Sequence, residues 1–280
     1  MLIQRLLAAI VLIPLVIILL FFTQLSIFAC IMIAVVTIAA WEWSQFLHIT
    51  NKHSRLMFAF FIAIILALLY FMPISLELKS KLYNIIILSF SIIWWLVALF
   101  LVISYPKTLH YWSNVAVKLI FAFFTLVPFF LSMIELRSIN YHSNCYTGAI
   151  LLLYVFVLVW ATDTGAYFAG RTFGKRKLAP KVSPGKTVEG FIGGVSVAIL
   201  ISLIVYCSNL FNIKFNVFFI SSFFAILVSV LGDLTESMFK REAGIKDSGN
   251  LIPGHGGILD RIDSLTAAVP IFTVLSLYLS

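Results

Sequence analysis

Long apolar runs, interrupted by short polar clusters, set the pattern of this chain. Crossing the ~30 Å hydrocarbon core of a bilayer as a helix takes about 20 apolar residues. Nine runs reach or approach that length: 6–22, 25–41, 57–73, 84–104, 115–134, 147–168, 190–207, 215–232 and 265–279. A soluble core of this size would show shorter runs broken by polar faces. The pattern predicts an all-α, polytopic integral membrane protein of about nine transmembrane helices, with polar cytoplasmic loops forming the active site. Arg5 before the first run resembles the start of a signal peptide. That run lacks an Ala-x-Ala site, and a second span follows almost at once, so it is expected to be a retained helix.

Composition agrees. Of 280 residues, 62% are hydrophobic and 11% charged, which excludes a soluble or a disordered chain. The net charge of +8 would point to nucleic acid in a soluble protein; here its placement argues against nucleic acid as a partner. With the N-terminus inside, fourteen Lys and Arg fall on the cytoplasmic side and four (Lys79, Lys81, Arg137, Lys214) on the other, with Lys118 inside a span. That split follows the positive-inside rule and sets the N-terminus and both charged loops in the cytoplasm. The surplus can attract anionic head groups of the lipid bilayer. Trp41, Trp43 and Trp112 fall where interfacial anchors are expected. Cys30, Cys145 and Cys207 are scattered; Cys30 and Cys207 read as small packing residues.

The acids divide the chain. Residues 1–160 hold only Glu42, Glu77 and Glu135, near predicted helix ends, whereas 163–263 hold eight. We therefore expect a hydrophobic transmembrane scaffold over 1–160 and a transmembrane catalytic region over 161–280, with polar loops at 171–190 and 233–263. Each buried ion costs about 2.5–3.5 kcal/mol on insertion scales, so so dense a mixture of signs suggests chemistry at the membrane surface.

Asp163 closes the sixth run beside Gly165, Ala166, Ala169 and Gly170, small residues that let helices approach. It reads equally as an inter-helix hydrogen-bonding group, or partner of Arg171, and as a carboxylate lining a site. Gly185-Lys186-Thr187 imitates a phosphate-binding P-loop, but Pro180 stands where that motif needs glycine, and no preceding strand is expected. Ser183, Lys186 and Thr187 precede a helix expected to begin near Val188, where backbone N–H groups favour anions. Pro180 and Pro184 stiffen a loop that can present Lys181 and Lys186 to phosphates. A basic loop that merely touches lipid is the alternative.

In the second cluster, Asp233, Glu236, Ser237, Lys240 and Arg241 share one helical face. A Glu236–Lys240 pair at a helix end accounts for Glu236. Asp233 sits deepest with no base within a turn, which a cation explains better. Beyond Lys246 and Asp247, Gly249, Gly254, Gly256 and Gly257 mark backbone that approaches something closely or adopts positive φ. His255 among them is either a loop-closing hydrogen bonder or a ligand. Asp260 and Asp263 lie one turn apart and repel unless a cation or base bridges them; Arg261 is on another face. Oxygen ligands beside basic loops fit Mg²⁺ holding phosphates, against the plainer reading of acids at a helix N-terminus.

The run Ser237-x-x-Lys240-Arg241, Lys246-Asp247-x-Gly249, then Pro253-x-His255-Gly256-Gly257-x-x-Asp260-Arg261-x-Asp263 resembles the signature of the phosphatidate cytidylyltransferases, or CDP-diacylglycerol synthases. Thr162–Tyr167 and Ser183–Gly190 are similar to further elements of that family, and length and span number resemble its bacterial members. The resemblance implies a nucleotidyltransferase of phospholipid biosynthesis that converts CTP and phosphatidic acid to CDP-diacylglycerol and pyrophosphate. It also implies Mg²⁺, a second, monovalent cation such as K⁺, a homodimer and the plasma (inner) membrane. Asp233, Asp260 and Asp263 would be the metal carboxylates, with Asp163 a weaker candidate, and Lys240 and Arg241 would join them in catalysis. Substrate would be held by Lys181, Ser183, Lys186, Thr187, Ser237, Lys246, Asp247, His255, Gly256, Gly257 and Arg261. The Asp-Gly-x-x-Ala-Arg run of CDP-alcohol phosphotransferases is absent. A CTP-dependent lipid kinase fits the signature less well, and a cation transporter would place its acids nearer the bilayer midplane.

Overall fold

The computed structural model describes residues 2–72, 77–251 and 256–278, with side chains from 12–72, 85–251 and 256–277. Helices α1 (Leu2–Phe22), α2 (Leu25–Trp43), α3 (Lys52–Phe71), α4 (Glu77–Ser104), the single turn α5 (Leu109–Trp112), α6 (Val115–Ser138) and α7 (Tyr146–Phe173) come first. Strands β1 (Lys177–Ala179) and β2 (Ser183–Thr187) follow, then α8 (Val188–Cys207), α9 (Phe215–Glu242) and α10 (Leu259–Tyr278). Among the described residues, seven helices are long and apolar enough to cross a membrane: α2, α3, α4 over Ile85–Ser104, α6, α7, α8 and α9. Leu12–Phe22 of α1 adds a shorter apolar stretch, and α10 carries three charges in its first five residues. The all-α membrane architecture holds, while a count of nine spans is not established.

Local chemistry explains where several helices begin. The Asn51 carboxamide accepts from His53 N at 2.9 Å, Asn114 accepts from Ala116 N at 2.9 Å, and the Thr187 hydroxyl accepts from Gly190 N at 3.1 Å. Each satisfies one of the N–H groups that a helix start leaves unpaired. Helices α7 and α8 meet along small residues: a Cβ placed on Gly194 would lie 3.1 Å from the Ala166 Cβ, and one on Gly165 3.1 Å from the Gly194 Cα. In the same way α9 meets α10 at Gly232, where a Cβ would come 3.1 Å from the Ser264 Cα. Such close approach is how helices adhere where lipid removes the hydrophobic drive between them.

Three expectations are corrected. The segment 177–187, read as a loop, is a two-stranded antiparallel hairpin pairing Lys177 with Thr187 and Ala179 with Ser183. It makes no P-loop, because Gly185-Lys186-Thr187 lies within the strand. Trp43 and Trp112 are not interfacial anchors. They are buried with Phe46 and Phe121 around Phe239, with ring centroids 5.1 Å (Trp43) and 5.2 Å (Trp112) from Phe239. Trp41 instead carries the Arg55 guanidinium 4.4 Å above its ring, a cation–π contact. Cys30 and Cys207, read as small packing residues, are exposed, as is Cys145.

Candidate active site

The two polar clusters are apart in sequence; the fold brings them together where α7, α9 and α10 pack against one another. Asp233 stands on α9, and Ser237, one turn later, donates to its Oδ1 at 3.2 Å. The base missing from α9 arrives from the hairpin: Lys186 Nζ lies 2.7 Å from Asp233 Oδ2, both side chains half-buried. Asp163 on α7 completes this side, within electrostatic reach of Asp233, Asp263, Lys186 and Arg261.

Lys240, two turns along α9 from Asp233, reaches α10. Its Nζ is 2.7 Å from Asp260 Oδ1 and 3.3 Å from Glu236 Oε2. The expected Glu236–Lys240 pair is present, but Asp260 is the closer partner. Asp260 Oδ2 also accepts from Ser248 N at 2.9 Å and Gly257 N at 2.8 Å. Asp263, one turn on, lies against Glu236 and within electrostatic reach of Asp233 and Lys240; its Oδ1 accepts from Ser264 N at 2.6 Å. Glu236 is 4% exposed and lies against Asp263, with Lys240 as its basic partner. A small cavity touching Glu236, Asp263, Thr235 and Thr266 has about 10 Å³ of room, near the least that admits one water.

Whether these residues suit a cation can be judged from charge. Five carboxylates (Asp163, Asp233, Glu236, Asp260, Asp263) gather around three bases (Lys186, Lys240, Arg261), a formal balance of −2 if all are ionised. Hard oxygen donors with surplus negative charge, among them a buried Glu236 carboxyl that shares Lys240 with Asp260, fit a divalent cation such as Mg²⁺. The ligand cage is not preassembled: no group of three acids, histidines or cysteines converges to metal-binding distance among the described residues.

The remaining sequence-derived residues distribute as follows. Arg241 Nε donates to the Val182 carbonyl at 3.1 Å and so pins the hairpin to α9. Thr187 spends its hydroxyl oxygen on the α8 cap, and Ser183 sits at the start of β2. Lys246 and Asp247 are exposed after α9, and Arg261 is exposed on α10. Gly256 has φ +80°, and a Cβ there would meet the Asp260 carboxylate; both require glycine. His255 lies outside the described residues.

Sequence reasoning missed Glu42, Ser248 and Lys118. Glu42 ends α2, yet its carboxylate receives Ile258 N and Leu259 N at the start of α10. Lys118 of α6, fully buried, donates to the Phe46 carbonyl at 2.8 Å and lies 2.5 Å from Glu242 Oε2. The available signal was that charges in so apolar a first half need partners; which partners is a matter of tertiary structure.

Beside the carboxylates runs an apolar cavity of about 890 Å³ between α4, α9, α10, Phe191 of α8 and the hairpin. Along α4 it extends from Ile92 to Ile103, and along α9 from Phe224 to Leu234, either path about 15 Å at 1.5 Å per residue. Lys181 and Tyr105 supply its polar lining. Burial, with the nearby Glu242 charge, raises the Tyr105 phenol above its usual range, so it stays a neutral donor.

A family model described as the cytidylyltransferase family matches residues 3–279. A phosphatidate cytidylyltransferase of Haemophilus influenzae is 49% identical over 283 residues, covering 98% of both chains. Its counterpart in Pseudomonas aeruginosa is 39% identical over 292 residues, covering 98% of this chain and 97% of that one. One in Bacillus subtilis is 40% identical over 162 residues, or 56% of this chain. Because the likeness runs nearly end to end and includes both polar clusters that the fold joins, the chain belongs to the cytidylyltransferase family.

Proposed function

We propose that this protein transfers the cytidylyl group of CTP to phosphatidic acid, releasing pyrophosphate and forming CDP-diacylglycerol. The observation that carries the reading is the near full-length likeness to phosphatidate cytidylyltransferases. The site's chemistry suits it. A phosphate oxygen of the lipid attacks the α-phosphorus of CTP while the bond from that phosphorus to the bridging oxygen breaks and pyrophosphate departs. The nucleophile is already anionic, so no strong base is needed; positioning and charge cancellation are.

Lys186 and Lys240 would hold phosphate oxygens, a role supported by their reach into the carboxylate cluster, where each pairs with an aspartate. Asp233, Asp263 and Glu236 would hold Mg²⁺, with Asp163 nearby and Asp260 more firmly engaged by its own hydrogen bonds. When bound, the cation supplies charge neutralisation for the phosphate oxygens. A second, monovalent cation such as K⁺ belongs to the proposal through family resemblance. So does a homodimer, and so do substrate-contact roles for Ser183, Ser237, Lys246, Asp247, His255, Gly257 and Arg261. Lipid chains fit the apolar cavity, whose ~15 Å length matches one leaflet of a ~30 Å hydrocarbon core. The skew of basic residues supports a cytoplasmic site in the inner membrane.

The test is pyrophosphate release by purified, detergent-solubilised protein. Release that requires CTP, phosphatidic acid and Mg²⁺ together, and collapses in Asp263→Asn, is expected. A folded wild type that releases none with several phosphatidic acids would refute the reading.

A further inference from the structure

Helix α10 carries Asp260 and Asp263, and its first turn is not capped by its own sequence. Leu259 opens the helix, and the N–H groups of a helix start lack partners within the helix. Here Leu259 N donates to Glu42 Oε2 at 2.7 Å and Ile258 N to Glu42 Oε1 at 3.0 Å. The cap therefore comes from the end of α2, more than two hundred residues earlier in the chain. Negative charge at this point is also favoured by the helix dipole.

The surroundings are built around that carboxylate. Glu42 is 3% exposed. Its Oε2 lies 3.3 Å from the Ser248 hydroxyl, and Gln45 on the following turn donates to the Ser248 carbonyl. Two glycines close on it: a Cβ on Gly249 would stand 2.8 Å from the Glu42 Cδ, and one on Gly257 2.6 Å. From Ser248 the contacts continue, since its N–H donates to Asp260 Oδ2 and its hydroxyl receives Asp260 N at 3.3 Å. Arg55 of α3, fixed by Ser44 and the Trp41 carbonyl, supplies countercharge within electrostatic reach.

We infer that Glu42 is a positioning residue for the transfer reaction. It fixes the depth and rotation of the first turn of α10, and through Ile258, Leu259 and Ser248 it sets where Asp260 and Asp263 stand relative to Asp233 and Lys186. The inference rests on the reading that those aspartates serve the reaction.

Glu42→Ala, Glu42→Gln and Gly249→Ala would be compared with the whole wild-type protein in detergent, by steady-state pyrophosphate release and by hydrogen exchange read peptide by peptide. Glu42→Ala should lower kcat about tenfold to a hundredfold, the scale of a misplacement near 1 Å. KM for CTP should change less than about twofold. Exchange should rise about tenfold at 257–262 and stay unchanged in α3 and α7, because only the cap opens. Glu42→Gln, which keeps one acceptor oxygen, should fall between. Gly249→Ala should lower kcat alone but add nothing once Glu42 is alanine, since the two changes act on one contact.

Faster exchange at 257–262 with unchanged kcat in Glu42→Ala would reduce Glu42 to a structural cap. Unchanged exchange, or raised KM with unchanged kcat, would overturn the inference outright. Should Glu42→Ala not fold, Glu42→Gln and Gly249→Ala decide by the same criteria. A wild type inactive toward every phosphatidic acid would instead strike the functional reading, with exchange still reporting on the cap.

Discussion

Replacing Lys118 by Met should unbalance the joint between α6 and the end of α9. Lys118 is fully buried, its Nζ 2.5 Å from Glu242 Oε2 and 2.8 Å from the Phe46 carbonyl. Glu242 ends α9, where the dipole disfavours negative charge. Its remaining partner is His48 at 3.2 Å, which is exposed. Breaking a buried pair by removing one member costs about 3–5 kcal/mol, because the other charge is left without compensation. His48 and the partial access of Glu242 to solvent put the expectation at the low end, about 3 kcal/mol. At roughly 2–4 °C per kcal/mol for chains approaching this length, Tm should fall by about 6–12 °C. Intrinsic fluorescence of the detergent-solubilised protein follows this directly, since Trp43 and Trp112 pack in the adjoining cluster. The double variant Lys118→Met/Glu242→Gln removes both charges and should recover all but about 1–2 kcal/mol, the residue being the Phe46 carbonyl left without its donor. A single variant within about 2 °C of wild type on the same scale, or a double variant no better than the single, would refute the reasoning.

Three further outcomes are expected. Lys186→Met should lower kcat about 10²–10³-fold, the usual loss for one donor aimed at developing charge. Lys186→Arg should recover part of it, with pyrophosphate release as the readout. Gly256→Ala should cost about 1–3 kcal/mol in thermal unfolding, through its positive φ and the Asp260 carboxylate beside it. Millimolar Mg²⁺ should raise the wild-type Tm and do so less in Glu236→Gln, because the surplus of carboxylates favours the bound state of the folded protein; equal shifts would remove Glu236 from the cation site.

Much of this architecture was legible from apolar run length, because lipid permits so few ways to bury a backbone. The start of α8 at Val188 was expected, and the small residues around Gly165 marked a close helix approach whose partner, α8, only the fold supplies. What escaped the sequence depended on contacts between distant segments. Asp233 looked unpaired because its partner, Lys186, arrives on a hairpin too short to announce itself by alternation. Trp43 and Trp112 have the address of interfacial anchors, yet Phe239 offers them a buried stack. Glu236 was explained by Lys240 four residues on, and that local sufficiency concealed its packing against Asp263 in a cluster already rich in acid.

The glycine contacts of α7 with α8 and of α9 with α10 have a mechanical consequence. Each pair touches nearly backbone to backbone, at Gly165 and Gly194 in one and at Gly232 in the other, so each behaves as a stiff two-strut beam. Asp163 and the hairpin ride on the first beam; Asp233, Asp260 and Asp263 ride on the second. The polar ties between them, Lys186 to Asp233 and Arg241 to the Val182 carbonyl, are side-chain contacts that lengthen far more easily than packed backbones part. Compliance is therefore concentrated at the joint between the beams. A bulky guest that spreads the site loads those two ties, while the spacing among the three aspartates of α9 and α10 stays as built.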